Sequence, residues 1–498
     1  MSKDFSPAAL VVNGSDSVAV ALRPIAAGEP VEFDIGTFIV NADIPQGHKF
    51  ALSPHQMGDT VIKYGASIGR ATAKIDVGDH VHTHNLASAL TADSDLSFAP
   101  SSPLAKSAPD ARTFLGYLRE GGGVGIRNEI WILPTVGCVA NTARRIAEKA
   151  SALAAGKVDG VYAFTHPLGC SQLGDDLGRT RDILAALASH PNAGAVLVIG
   201  LGCENNKLAQ LVAQIDQPAN RIQTFEAQGV DDEIEAGVQA VQALIAVASN
   251  DRRQPVSLAH LRLGLKCGGS DAFSGLTANP LVGKIATRLA AAGGGPILTE
   301  IPELFGAEAA LLNGSCNADV FAKGAELIQR FKAYFHDRGL PVSENPSPGN
   351  RQGGITTLEE KSLGAAQKAG EAVLVDVLNY GERASRSGLT LLEAPGNDAV
   401  SSTALVAAGA QMVLFTTGRG TPLGFPAPTI KIASNSALAL AKSRWIDFDA
   451  GARLSGLSLD ALSDHLMDLI IDTASGKPTR SETNGEREIA LWKDGATL

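Results

Sequence analysis

Three histidines alternate within five residues, His80-Val81-His82-Thr83-His84, and Asn85 follows them. Side chains along a strand repeat with a period of two, so all three imidazoles would share one face at steps of about 7 Å. Neutral imidazoles so placed can hold a divalent metal, and imidazole is also the usual acid or base near neutral pH. An exposed polar strand has the same pattern, but three of the ten histidines fall in this one run. His48-Lys49, after the turn residue Gly47, offers a further base and a cation.

Thiols form the second group. Cys138, Cys170 and Cys203 each follow a glycine at the end of an apolar run, 32 and 33 residues apart. Cys267 ends another such run and opens Cys267-Gly268-Gly269-Ser270-Asp271. Ligands of open α/β sheets bind outside the carboxyl ends of the strands. Thiolates are also the soft ligands that iron–sulfur clusters select. The plain alternative is that these are small buried side chains.

Polar residues on glycine-rich turns form the third group: Arg127-Asn128-Glu129, Glu204-Asn205-Asn206, Gly396-Asn397-Asp398 and Gly418-Arg419-Gly420-Thr421. Arginine suits a carboxylate, and Asn or Asp suits hydroxyls, so together they describe a small polyhydroxy acid. Each alone is equally a turn or helix-cap device. No GxGxxG follows a strand, and GxxxxGK[ST] and HExxH do not occur. The one GxSxG, Gly65 to Gly69, lies among short strands rather than at a strand-to-helix elbow.

The elements that must position these groups divide the chain. Residues 1–96 carry short strand-like runs at 18–22, 31–35, 60–64 and 80–84, broken by Gly and Pro, and predict a small β-rich domain. Residues 97–111, rich in Pro and Ser, predict a linker. In 112–255 strand-like runs at 129–133, 160–164 and 195–199 alternate with helical stretches, as in a parallel sheet covered by helices. A polar stretch at 250–255 predicts the separation from a second α/β domain over 256–498. That domain has buried-strand runs at 261–265, 297–301, 372–377, 389–392, 412–415 and 429–432, and long Gly/Pro-rich segments at 341–356 and 418–428 suited to binding loops.

With 498 residues, 45% hydrophobic and 19% charged, the chain can bury a large core. Its net charge of −10 argues against nucleic acid as a partner, and no apolar run is long enough to span a bilayer. Five sparse cysteines and no secretory signal predict a cytoplasmic protein with reduced thiols.

Several stretches are specific enough to resemble a known family: Gly47-His48-Lys49-Phe50-Ala51-Leu52, Val81-His82-Thr83-His84-Asn85, Gly125-Ile126-Arg127-Asn128-Glu129, Gly169-Cys170-Ser171-Gln172-Leu173-Gly174, Gly200-Leu201-Gly202-Cys203-Glu204-Asn205-Asn206 and Cys267-Gly268-Gly269-Ser270-Asp271. Together with Trp445-Ile446-Asp447-Phe448-Asp449-Ala450-Gly451 they resemble the altronate and galactarate dehydratases, sugar-acid hydro-lyases. The resemblance implies an N-terminal domain of the SAF kind, shared with antifreeze proteins and sialic acid synthase, and a large α/β catalytic region. It also implies conversion of D-altronate to 2-dehydro-3-deoxy-D-gluconate with iron(II), or manganese(II), as cofactor.

On this basis His48, Lys49, His82 and His84 are the expected catalytic groups, carried over the strand ends by the small domain. Arg127, Asn128, Glu129, Asn205, Asn206, Ser270, Asp271, Asn397, Asp398 and Arg419 are the expected substrate contacts. The metal is expected on His82 and His84, or alternatively as an iron–sulfur cluster on Cys138, Cys170, Cys203 and Cys267. The expected partners are a small sugar acid and further copies of the chain.

Overall fold

The computed structural model describes residues 7–90, 96–100, 109–341 and 345–498. Residues 101–108 of the expected linker lie outside these, as do residues 342–344 of the Gly/Pro-rich segment at 341–356.

The N-terminal domain is a set of short antiparallel strands. Val18–Ala21 pairs with Lys49–Ala51, which pairs in turn with His80–Val81. Its strands are entered through four turns with glycine at positive φ, Gly28, Gly47, Gly58 and Gly78, where no side chain obstructs the left-handed backbone. The acidic residue after three of these glycines closes its own turn: Glu29, Asp59 and Asp79 accept the N–H of Ala26, Gln56 and Asp76. At the fourth turn that position is His48, whose side chain is left for other work.

The second domain holds a parallel sheet in the order Gly160–Ala163, Glu129–Pro134, Ala193–Gly200 and Ile222–Glu226. Helices Ala140–Ala154 and Glu233–Ala248 pack Ile146, Val241 and Leu244 onto one side of it. Arg253–Ser257 pairs antiparallel with Thr113–Leu118, so half of the polar stretch at 250–255 belongs to a strand closing this domain's small sheet.

The C-terminal domain is built on seven parallel strands in the order Leu374–Leu378, Leu389–Leu392, Gly295–Leu298, Arg262–Cys267, Met412–Thr417, Thr429–Ala433 and Phe448–Asp449. The chain starts at Arg262–Cys267, adds Gly295–Leu298, then the edge strand Leu374–Leu378 and Leu389–Leu392 between them, then crosses to Met412–Thr417 and builds on the other side. The switch point therefore lies between these two strands, where open sheets form their ligand crevice. Among the described residues no helix is long and apolar enough to cross a membrane.

Candidate active site

Five of the expected contacts meet at that switch point. The turn after Arg262–Cys267 carries Ser270 and Asp271, and the turn after Met412–Thr417 carries Arg419. Asn397 caps helix Asp398–Ala407, accepting the N–H groups of Ala399 and Val400 at 3.1 Å. The turns are tight because glycine permits it: a Cβ on Gly418 would stand 2.3 Å from Asp271 Cγ, and one on Gly268 2.6 Å from Asp398 Oδ2. Asp271 is buried, and burial raises its carboxyl despite donors from Ser434, Ser274 and Asn435. Arg419 is exposed, with Nη1 donating to Gly349 O and Gln352 Oε1, both at 3.2 Å.

The segment Ser347–Gly354 covers this mouth, tied to it by Asn350 Nδ2 donating to Ser270 O at 2.7 Å. On the other side of the segment stands the N-terminal domain. His48 Nε2 lies 3.2 Å from Gln352 O and His82 Nε2 3.0 Å from Arg351 O. A carbonyl only accepts, so both rings carry their proton on Nε2 and present Nδ1 as a lone pair. His48 Nδ1 is 3.0 Å from His80 Nε2. The ring centroids of His48 and His82 are 4.8 Å apart, and those of His80 and His84 are 5.4 Å apart.

The three alternating histidines do not lie along one strand face as expected. The strand ends at Val81, and Asn85 folds the next residues into a turn, accepting the His82 N–H at 2.9 Å and donating to His80 O at 2.9 Å. The imidazoles thus gather into a cluster of four instead of stepping away from each other. Burial, reinforced by the neighbouring imidazoles and Lys49, lowers His80 to about 3; burial and Lys49 lower His82 to about 4. Both are neutral at ordinary pH.

Lys49 is in a different position from that expected of a catalytic group. Its ammonium is fully buried and donates to Glu360 Oε2, Gly354 O and Thr356 Oγ1 at 2.9, 2.9 and 2.7 Å, spending all three protons. Lys63 donates to the other Glu360 oxygen at 2.8 Å. The pair of lysines fastens the N-terminal domain to helix Leu358–Ala366.

Beneath the mouth lies a charged cluster that sequence reasoning missed. Lys266 bridges Glu300 and Asp398, Lys368 donates to Cys267 Sγ at 2.6 Å, and Lys361 pairs with Glu303 at 2.7 Å. Cys267, Glu300 and Glu303 form the three-member set of potential metal-binding groups whose ligand atoms all lie within 4.8 Å among the described residues. Three ammonium groups already balance Glu300, Glu303 and Asp398, and burial raises the Cys267 thiol, so the cluster is neutral without a cation. Its available signal was a lysine inside an apolar strand.

The remaining expected contacts are elsewhere. Arg127 spends its guanidinium on Glu482, Ile126 O, Thr473 O and Lys477 O. Asn128 donates to Ala248 O, and Glu129 accepts from Trp131 and pairs with Arg487. These three sit at the amino end of Glu129–Pro134, away from any strand-end crevice; Arg127 and Glu129 join the second domain to the C-terminal segment, and Asn128 braces the second domain internally. Asn205 and Asn206 brace loops beside Cys138, Cys170 and Cys203, all exposed, whereas Cys267 is buried in another sheet and leaves that set.

Comparison with known proteins gives three family models in chain order. They are described as the altronate/galactarate dehydratase SAF domain at residues 7–89, the D-galactarate dehydratase/altronate hydrolase second domain at 116–249, and the D-galactarate/altronate dehydratase C-terminal domain at 258–497. The chain is 49% identical to altronate dehydratase of Escherichia coli (strain K12) and 46% to that of Bacillus subtilis (strain 168), covering 98% of this chain and 99% of each relative. It is 32% identical to the L-threo-forming galactarate dehydratase of Escherichia coli (strain K12), over 94% of this chain and 92% of that one.

Proposed function

We infer the chemistry of this cleft from the family the chain belongs to, that of the D-galactarate/altronate dehydratases: the chain is a hydro-lyase, and it dehydrates altronate. Dehydrating a 2,3-dihydroxy acid removes the weakly acidic proton beside the carboxylate and expels the C3 hydroxyl. The enol so formed becomes a 2-keto-3-deoxy acid. The reaction needs a cation for the carboxylate, a neutral base for the proton and an acid for the departing hydroxyl.

Arg419, exposed at the mouth, binds the carboxylate. His84, on the open side of the imidazole cluster, exchanges protons with C2 and the leaving oxygen. Asn397 and Asp398 meet the distal hydroxyls.

The histidines also suit a divalent metal. His48 and His82 each donate Nε2–H to a backbone carbonyl, the arrangement that fixes a metal-binding imidazole's tautomer and makes Nδ1 the lone-pair nitrogen; here those lone pairs accept from His80 Nε2 at 3.0 Å and Thr83 Oγ1 at 3.1 Å, contacts a metal would replace. His48, His80 and His82 would hold iron(II), with manganese(II) as a substitute, once their rings shift toward one another, because His48 Nδ1 and His80 Nε2 stand 3.0 Å apart but no three imidazole nitrogens among the described residues lie within 4.8 Å of one another. When bound, that ion supplies a Lewis acid for the substrate's carboxylate and hydroxyl oxygens. The observation that carries this reading is the cluster itself, four imidazoles brought by a separate domain onto the segment covering the switch point.

We place the enzyme in the cytoplasm, in the breakdown of hexuronates. The test is anaerobic assay of the iron-loaded chain with D-altronate and galactarate side by side, following 2-keto-3-deoxy acid. Faster turnover of altronate, abolished by a chelator and restored by iron(II) or manganese(II), is the expected result. Turnover unaffected by chelation would remove the metal from the reading.

A further inference from the structure

We propose that Cys138, Cys170 and Cys203 form a three-thiolate site for an iron–sulfur cluster at the carboxyl end of the four-stranded sheet. The three cysteines follow three strands that are neighbours in that sheet, so their loops lie side by side at one end.

The loops are laced together by their backbones. Gly137, before Cys138, donates its N–H to Leu168 O at 2.8 Å, and a Cβ there would be 2.9 Å from Pro167. Gly169, before Cys170, has φ +105°, and its Cβ would be 2.1 Å from Thr135 O. Each of these glycines is thus required by the other cysteine's loop. The third loop joins both: Asn206 donates N–H to Gly169 O at 2.9 Å and Nδ2 to Thr135 O at 3.1 Å. Asn205 Oδ1 accepts the Ser171 N–H at 2.8 Å. Asn205 and Asn206 therefore hold thiol-bearing loops in register, which accounts for two residues the dehydration chemistry leaves unused.

The thiols themselves are exposed and form no disulfide, and Cys203 Sγ accepts from Gln228 Nε2 at 3.7 Å. Their spread argues for a polynuclear group. Sulfurs on one tetrahedral ion stand about 3.8 Å apart at metal–sulfur bonds of about 2.3 Å. Here the three sulfurs do not all lie within 4.8 Å of one another. A cluster whose irons are bridged by inorganic sulfide takes thiolates set wider apart than one ion does, and each ligating thiol gives up its proton.

The site stands apart from the histidine reading and has its own test. The full chain is prepared anaerobically with ferrous and ferric iron and sulfide, and iron, acid-labile sulfide and the electron paramagnetic resonance signal after reduction are measured. The expected result is labile sulfide and a cluster signal in the wild type and in Cys267→Ala and Cys316→Ser. Both should fall at least about tenfold in the folded Cys138→Ser/Cys170→Ser/Cys203→Ser variant. A wild-type chain without labile sulfide, or a triple variant that keeps it, overturns the proposal.

Discussion

The Lys49 ammonium and the Glu360 carboxylate, 311 residues apart in the chain, meet at 2.9 Å with no solvent on either. This contact joins the domain that carries the histidines to the domain that carries the mouth. Burial pushes Lys49 down to about 8 and would raise Glu360, but Lys49 and Lys63 overcome that and hold Glu360 at about 2.

Glu360→Gln leaves two buried ammonium groups without a carboxylate. Removing one partner of a buried pair costs about 3–5 kcal/mol. Urea denaturation followed by circular dichroism should show that loss, accompanied by a fall in altronate turnover because the histidines no longer seat on Ser347–Gly354. An unchanged midpoint would contradict the role given to the pair.

Acid should undo the same contact in a defined window. A glutamate lowered from 4.5 to about 2 on folding binds fewer protons than in the unfolded chain, so its contribution is whole above about 4.5 and disappears as pH falls toward 2. Denaturation midpoints measured between pH 5 and 3, a range set by that shift, should fall for the wild type. The same decline should be shallower in Glu360→Gln.

Two arginines should separate binding from architecture. Arg419→Lys loses a charge-assisted contact of about 1.5–3 kcal/mol, which corresponds to a rise in KM of about ten- to a hundredfold. Arg127→Lys should leave KM unchanged and lower the melting temperature, because its partners are Glu482 and backbone carbonyls of the C-terminal helices. Steady-state kinetics with thermal denaturation on both variants decides between them.

Gly354→Ala tests the docking geometry directly. Gly354 has φ +93°, and its Cβ would stand 2.2 Å from Gly47 O, the carbonyl immediately before His48. Strain at such a position costs about 1–3 kcal/mol before the clash is counted. Turnover should fall at least about tenfold while far-ultraviolet circular dichroism stays native, as the strain predicts. Wild-type turnover would show that the close approach is dispensable.

The second domain's parallel sheet was legible because three apolar runs recur at the length of one strand–helix step, each leading to Gly-Cys, whereas its fourth strand, Ile222–Glu226, was not among the expected runs. The histidines were legible by type and not by geometry, since the turn that gathers them depends on both ends of the Asn85 amide. Arg127 was misread for a physical reason: an arginine on a turn has the same local sequence whether it meets a substrate or Glu482, 355 residues onward. The lysine–glutamate cluster beneath the mouth was missed because its charges come from separate stretches of the chain, and only the tertiary fold brings Lys266, Glu300 and Lys368 together.

The central claim is that imidazoles of the N-terminal domain take part in chemistry at the switch point of the C-terminal sheet. Its most direct test is the altronate turnover and iron content of His80→Ala, His82→Ala and His84→Ala, prepared anaerobically beside the wild type. All three should fold. His84→Ala should lose about a hundredfold or more in kcat with iron retained, and His80→Ala and His82→Ala should lose iron and turnover together. Full turnover in all three would contradict the claim.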